Sequence, residues 1–518
     1  MNKINNIFDH VSYSNVISTV DFYSVPLHIS GLSERYPNDN LVQTDNQDYV
    51  SSNLRPNPLV NLSLSSSSSA LIDAETEAEL AQINVERNVD ANTGLLVSSA
   101  EVFGIGNDAW LATGRGDNSI IGVASIEAFA SLSAESNSQD ESFAIANSES
   151  NVGLNLLAIG LGNNGTIVAG GGDDLIGGIA DTTTKSEANA ESLAENQGFG
   201  LSDAGTAEAN ASAFANSSAT TYGIANSGGI FSNRGNDVIF GLANSDSNSQ
   251  AFANAIANSN SDDLATAIAN ARAIAITQES TVGILNQGRI GTGVGDDTII
   301  GVAFNAPAAR AGADAVANGE SNNTNANVET FTFSDTSEVI AIGIDNSQGW
   351  IGTSKGHDQL FAYGNDIGIL GGEDSKIWLG RGNDKVYAYS ETTAIQNEVV
   401  ALGRGNDYFQ AAIGELDALT GEFHRAENQA NALVDTEVLG HGGSDTFEIG
   451  DFAGNSTIDG GKNFDTLRLF GDVDSYQFTV GANEPDVLTI ENSGSILTVR
   501  DVEAIYLGDS HFEISDFA

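Results

Sequence analysis

Eight short stretches of this chain place an acidic or amide side chain behind a glycine turn. They read TGRGDNSII at 113–121, AGGGDDLIG at 169–177, SNRGNDVIF at 232–240 and TGVGDDTII at 292–300. The series continues as TSKGHDQLF at 353–361, LGRGNDKVY at 379–387, LGRGNDYFQ at 402–410 and GHGGSDTFE at 440–448. In each copy an apolar residue stands two positions beyond the last Asp or Asn, as Ile299 follows Asp297. Glycine opens a tight backbone loop with exposed carbonyls, the carboxylate adds charge, and hard cations favour such oxygens. The same residues also shape β-turns without any metal.

The candidate ligands are Asp117, Asn118, Asp173, Asp174, Asp237, Asp296, Asp297, Asp358, Asp384, Asp407 and Asp445. Asp465, in IDGGKNFDTL, and Asp108, in GIGNDAW, extend the set, and Gly172, Gly293, Gly295, Gly380, Gly382, Gly403 and Gly405 supply the turns. Oxygen donors without thiols or assembled histidine pairs fit calcium better than zinc or magnesium. The six histidines, His10, His28, His357, His424, His441 and His511, are dispersed.

The elements that position these turns are legible as a repeat. Gly116, Gly172, Gly235, Gly295 and Gly356 are separated by 56, 63, 60 and 61 residues, a self-similarity that signals a solenoid or array. Between the turns lie Ala/Asn/Ser/Glu-rich inserts such as AFANAIANSNSDDLATAIANARAIAI at 251–276. Alanine favours helix, yet A-F-A-N-A-I-A-N alternates with period two, which favours closely packed strands over helical hairpins. The expected fold class is all-β: a parallel β-solenoid or β-roll with Ala-rich inserts and a compact C-terminal β domain. The expected divisions are 1–69, a loosely ordered arm and serine linker; 70–340, units of about 60 residues; 341–450, closely spaced repeats; and 451–518, a terminal β domain.

Composition narrows the partners. Seventy acidic residues against 19 basic ones give a formal charge of −51, and Lys185 is the sole lysine between Lys3 and Lys355. Such a polyanion offers no basic patch for nucleic acid or anionic lipid, attracts cations, and repels itself until they arrive. With no cysteine there are no disulfides and no thiolate chemistry. Asp9 and His10 interrupt any N-terminal apolar run, and no stretch is apolar enough to span a bilayer, so membrane insertion is not expected.

These residues resemble the RTX (repeat-in-toxin, hemolysin-type) family, whose nonapeptide is G-G-x-G-x-D-x-U-x with U apolar. Gly293, Gly295, Asp297 and Ile299 match it, as do Gly380, Gly382, Asp384 and Val386, and Gly403, Gly405, Asp407 and Phe409. The trailing VEAIYLGDSHFEISDFA is similar to an uncleaved C-terminal signal for type I secretion. The resemblance implies an exported protein that folds as its turns take up calcium ions, with the type I secretion apparatus as a partner. It also implies a surface-layer, matrix or adhesive role beside a cell-surface or matrix polymer. The chain departs from tandem RTX rolls in that most of its motifs stand alone, with stacking partners about 60 residues away.

Enzymatic readings find less support. Gly352, Ser354 and Gly356 spell G-x-S-x-G, but inside a glycine-aspartate turn. Gly160, Gly162 and Gly165 spell G-x-G-x-x-G with no following helix to cradle a phosphate, and no HExxH occurs. The expectation is a non-enzymatic protein. The alternative is an extracellular β-helix enzyme acting on polysaccharide with an RTX carrier.

Overall fold

The computed structural model describes residues 49–54, 71–80, 88–89 and 91–517, the last range without 141–142, 198–204, 261–263, 321–323, 338, 418–420, 428, 430, 471–473, 475, 482–483 and 509. The described residues form a parallel β-solenoid with three long sheets and no α-helix. One coil illustrates the path. Ala265–Asn286 runs inward along the first sheet, Arg289–Gly291 crosses the second, and Thr298–Glu320 runs outward along the third. The next coil repeats this in register, with Ile284 beside Ile344, Ile290 beside Ile351 and Ile299 beside Leu360.

Each coil has two parts because its sequence changes texture. In the three-sided stem the coils contribute an inward apolar residue on each sheet, branched in the first coils: Ile105, Leu111 and Ile120, then Leu161, Ile167 and Ile176, then Ile224, Ile230 and Ile239. Coil after coil these side chains stack into one continuous buried core that runs to Leu507. Beyond the stem the first and third sheets continue alone as a two-layered wing. Its interior is Ala207, Ala209, Ala211 and Ala213 facing Ala188, Ala190, Ala251 and Ala253, all at most 3% exposed. The Ala/Asn/Ser inserts are therefore strands, and their period-two spelling is the alternation of inner and outer faces. Glycines form the waist between the two parts. A Cβ on Gly241 would collide with the Gly283 carbonyl across the layers, and one on Gly301 with that of Gly343.

Of the arm expected over 1–69, residues 49–54 form a parallel strand on Leu95–Ala100, and the rest lies outside the described residues. After residue 339 the wing ends and the coils shorten, so the stem turns crowd together as the sequence spacing demands. The 451–518 segment carries on the same stack. Asn455–Asp459, Thr466–Leu469 and Ala504–Leu507 add parallel strands to the second and third sheets. Antiparallel strands over Gln477–Gly481, Glu484–Asn492 and Ser495–Arg500 then close the second sheet. Phe478, Phe512 and Phe517 pack against the end of the core, with the rings of Phe478 and Phe517 stacked 4.6 Å apart. No helix among the described residues is long and apolar enough to cross a membrane.

Candidate metal centre

All eight glycine-aspartate turns fall on one corner of the stem, between the second and third sheets. The turn glycine has positive φ in every coil, from 107° at Gly116 to 150° at Gly405. A Cβ on Gly295, Gly356, Gly382, Gly405 or Gly443 would strike the carbonyl oxygen of the matching glycine one coil earlier. Glycine is thus required twice, for the backbone angle and for the stacking of carbonyls.

Behind the glycines run two spines of side chains with opposite sense. The inner spine is buried. The backbone N–H of Asn118 donates to Asp174 Oδ1 at 2.9 Å, that of Asp174 to Asp237 at 2.8 Å, and that of Asp237 to Asp297 at 2.9 Å. The same bond links Asp297 to Asp358, Asp358 to Asp384, Asp384 to Asp407, Asp407 to Asp445 and Asp445 to Asp465, at 2.7–2.9 Å. Glu503 closes the spine by accepting from the Asp465 N–H at 2.7 Å. The outer spine is exposed, and each side chain there accepts from the following coil instead. Asp117 takes the N–H of Asp173, Asp173 that of Asn236, Asn236 that of Asp296, and Asp296 that of His357. His357 Nδ1, Asn383 and Asn406 continue it to Ser444.

The inner spine satisfies half of each carboxylate. Oδ2 of Asp174, Asp237, Asp297, Asp358, Asp384, Asp407, Asp445 and Asp465 is buried without a well-formed hydrogen bond, although the hydroxyls of Ser232, Thr292 and Thr353 lie near enough to Asp237, Asp297 and Asp358 to favour their charged forms. Burial raises the carboxyl groups of Asp174, Asp407 and Asp465 to about 6, those of Asp237, Asp358 and Asp445 to about 7, and that of Asp384 to about 8. Asp297 is raised for the same reason, against the Thr292 hydroxyl and the Asp237 N–H, which pull it down. Rungs of a sheet lie about 4.8 Å apart. Adjacent carboxylates that were both ionised would repel by roughly 3 kcal/mol at an effective dielectric of 20. A column of this kind must hold protons or cations.

The sequence-derived ligand set is thereby sorted. Asn118, Asp174, Asp237, Asp297, Asp358, Asp384, Asp407, Asp445 and Asp465 form the inner spine, and Asp117, Asp173 and Asp296 belong to the outer one. Gly172, Gly293, Gly295, Gly380, Gly382, Gly403 and Gly405 have positive φ in the turns between. Asp108 sits apart from them, at the corner between the first and second sheets, where it accepts from Asn164 at 2.9 Å. Among the described residues no three His, Cys, Asp or Glu side chains converge on one point, so an ion at this corner would need main-chain oxygens as well.

Two features escaped the sequence reading. At the Asp108 corner a buried amide ladder runs Asn107, Asn163, Asn226, Asn286 and Asn346, with side-chain bonds of 2.7–2.8 Å, ending on Glu398 at 3.0 Å. Its signal was the Asn that opens an N-x-G turn at Asn163, Asn226 and Asn286. Beside the glycine corner, Arg234, Val294, Lys355, Arg381 and Arg404 pair in one row, and Arg115 pairs with Gly171 at its head. Five of the chain's 19 basic residues thus lie in one exposed file. A scan against protein-family models finds no family that matches this chain, and a search of curated proteins finds no relative.

Proposed function

We propose that this chain is a secreted, calcium-binding solenoid of the RTX kind, whose glycine-aspartate corner loads Ca²⁺ outside the cell and completes folding there. One observation carries the reading: eight successive buried aspartates, one per coil along the same corner, each keep an oxygen without a well-formed hydrogen bond. Asp174, Asp237, Asp297, Asp358, Asp384, Asp407, Asp445 and Asp465 would hold the ions, with turn carbonyls completing an all-oxygen shell. Bound calcium would supply the positive charge that this column lacks. Extracellular modules bind calcium at ~10⁻⁴–10⁻³ M, so the corner would stay empty at cytosolic levels and fill after export.

The role we assign is structural: a surface-layer, matrix or adhesive component rather than an enzyme. The file of Arg115, Arg234, Lys355, Arg381 and Arg404 beside the corner supports an anionic cell-surface or matrix polymer as the partner. Calorimetric titration of the full chain with calcium, and with magnesium as control, tests the reading. Saturable heat for calcium and a rise in melting temperature are expected. No heat and an unchanged melting curve at millimolar calcium would overturn it.

A further inference from the structure

The wing stops abruptly, and the place where it stops is unfinished. Its last coil consists of Thr298–Glu320 and Thr324–Asp335. The following coil covers only the inner part of these strands, since Gln359–Gly364 pairs with Thr298–Ala303 and Val339–Asp345 pairs with the preceding coil at Glu279–Leu285. Among the described residues no strand pairs with the outer side of 306–318 or 324–335. The interior is open there too. Ala251, Ala253, Ala255 and Ala257 are at most 3% exposed, whereas Ala311, Ala313, Ala315 and Ala317, their equivalents one coil later, are only partly buried. Val328 on the inner face is 49% exposed, and Phe331 and Phe333 on the outer face are 47% and 44% exposed.

We infer that this open edge is a self-association surface, on which a second copy of the chain docks by antiparallel pairing about a two-fold axis normal to the wing. The register follows from the hydrogen bonds. The Thr298 N–H points back to Asp237 and the Asn305 N–H forward to Asn365 Oδ1, so the odd residues of this strand face the edge. In the other layer the Gly205 N–H points forward to Leu264, and the matching residues Ala265 and Thr324 follow it, so the even residues face the edge. Thr277 Oγ1 donates to the Ala308 carbonyl, and the register of its strand sets Thr277 level with residue 336. Gly312 is therefore level with Thr332. An axis through Gly312 and Thr332 serves both layers at once.

About that axis the edge is complementary to itself. On the outer face of one layer Arg310 falls opposite the partner's Asp314, twice by symmetry, and Ala308 opposite the partner's Val316. Inside, Ala309 meets the partner's Ala315 and Ala311 the partner's Ala313, which continues the alanine core. In the other layer Phe331 falls opposite the partner's Phe333, again twice, and such cross-strand pairs are the unit of sheet stabilisation. Two features oppose the contact: Glu329 falls opposite the partner's Asp335, and Pro307 gives the edge no N–H. The inference does not depend on what the glycine corner binds.

The chain has no cysteine, so one introduced thiol reports the contact directly. In the full-length folded protein Gly312→Cys would place two thiols across the axis, at a separation a disulfide spans. Asn189→Cys, in register with Gly312 two strands further in, is the control. A covalent dimer from Gly312→Cys and none from Asn189→Cys is expected. Sedimentation of the unmodified chain should show a dimer that Arg310→Asp weakens by roughly tenfold and that Arg310→Asp with Asp314→Arg restores. A chain that remains monomeric at every attainable concentration would overturn the inference, as would equal cross-linking of the two cysteine variants or a charge swap that fails to restore what the single reversal loses.

Discussion

Stem and wing are built from the same coils yet hold together by different means. The stem closes three sheets around large branched side chains, and its corners carry carboxylates and glycines. The wing lays two sheets against each other with alanine between them, and some of its buried hydroxyls bond one another, as Ser217 does to Ser186 and Thr277 to Ser249 at 2.9 Å. Each buried isoleucine removes several carbons from water while each alanine removes about one methyl, at ~0.8 kcal/mol per group. The wing makes up the difference by length, with strands of 22 and 23 residues in unbroken register. Buried carboxyl groups are concentrated in the stem, where the core is strong, and in the wing interior Glu279, which accepts from Ser245, stands among alanines and hydroxyls.

The largest separation between the two regions should come from calcium and pH. Burial disfavours the charged form, so Asp174, Asp407 and Asp465 are raised to about 6, Asp237, Asp358 and Asp445 to about 7 and Asp384 to about 8, from near 4 in the unfolded chain, and Asp297 moves in the same direction. Between these values the folded chain holds more protons than the unfolded one, so in chelator the stability should fall as pH rises from about 4 to 8. Saturating calcium should remove that slope, and each site filled to a hundred times its dissociation constant adds about 2.7 kcal/mol. Melting curves at several pH values, with hydrogen exchange resolved by region, check this. The sensitive amides should be those of the stem, and an equal response in the wing would break the comparison.

Next in size are core substitutions. Ile290→Ala empties a fully buried stem position and should cost about 2–5 kcal/mol. Ala255→Leu, in an interior with room for methyl groups only, should cost about 1–3 kcal/mol by overpacking. Denaturant unfolding of both variants measures the contrast. If Ala255→Leu proves stabilising, the wing interior is looser than its alanines indicate.

A smaller effect tests the second stem corner. Asn226 donates to Asn286 and accepts from Asn163, so Asn226→Ala leaves two buried amides short of a partner, at about 1–3 kcal/mol. Asn226→Asp keeps the acceptor and loses the donor, and should fall between the two. Urea midpoints rank the three chains.

Stem and wing also differed in how openly the sequence displayed them. The wing was legible in the alternation of A-F-A-N-A-I-A-N, because a two-layered strand with one inner face must repeat every two residues. The glycine-aspartate corner was legible in spacing, since Gly235, Gly295 and Gly356 recur once per coil. The sense of the two spines was not. Asp296 and Asp297 are neighbours of one type, yet one points forward and exposed and the other back and buried. Only the position of the following Ile299 distinguishes them. Asp108 shows the limit from the other side, for its N-D spelling resembles the corner motif while its coil position sets it on a different corner. The continuity of 451–518 with the stack was hidden because its strands join sheets begun hundreds of residues earlier.

The smallest effect separates the two spines themselves. The inner row admits only Asn, Asp and Glu503, because a buried rung must accept a backbone N–H in a tightly fixed geometry. The outer row tolerates Asp, Asn, His357 and Ser444, because water replaces whatever a side chain fails to supply. His357→Asn should therefore leave stability unchanged, since Asn383 and Asn406 already serve in that row, and His357→Ala should cost only about 0.5 kcal/mol. The lost bond should still register locally, as faster exchange of the Asn383 amide that His357 Nδ1 accepts. The matching inner change, Asp358→Ala, removes the acceptor of the buried Asp297 N–H and should exceed it severalfold in apo protein at low pH, where no ion contributes. Equal costs at the two positions would mean that burial does not distinguish the spines.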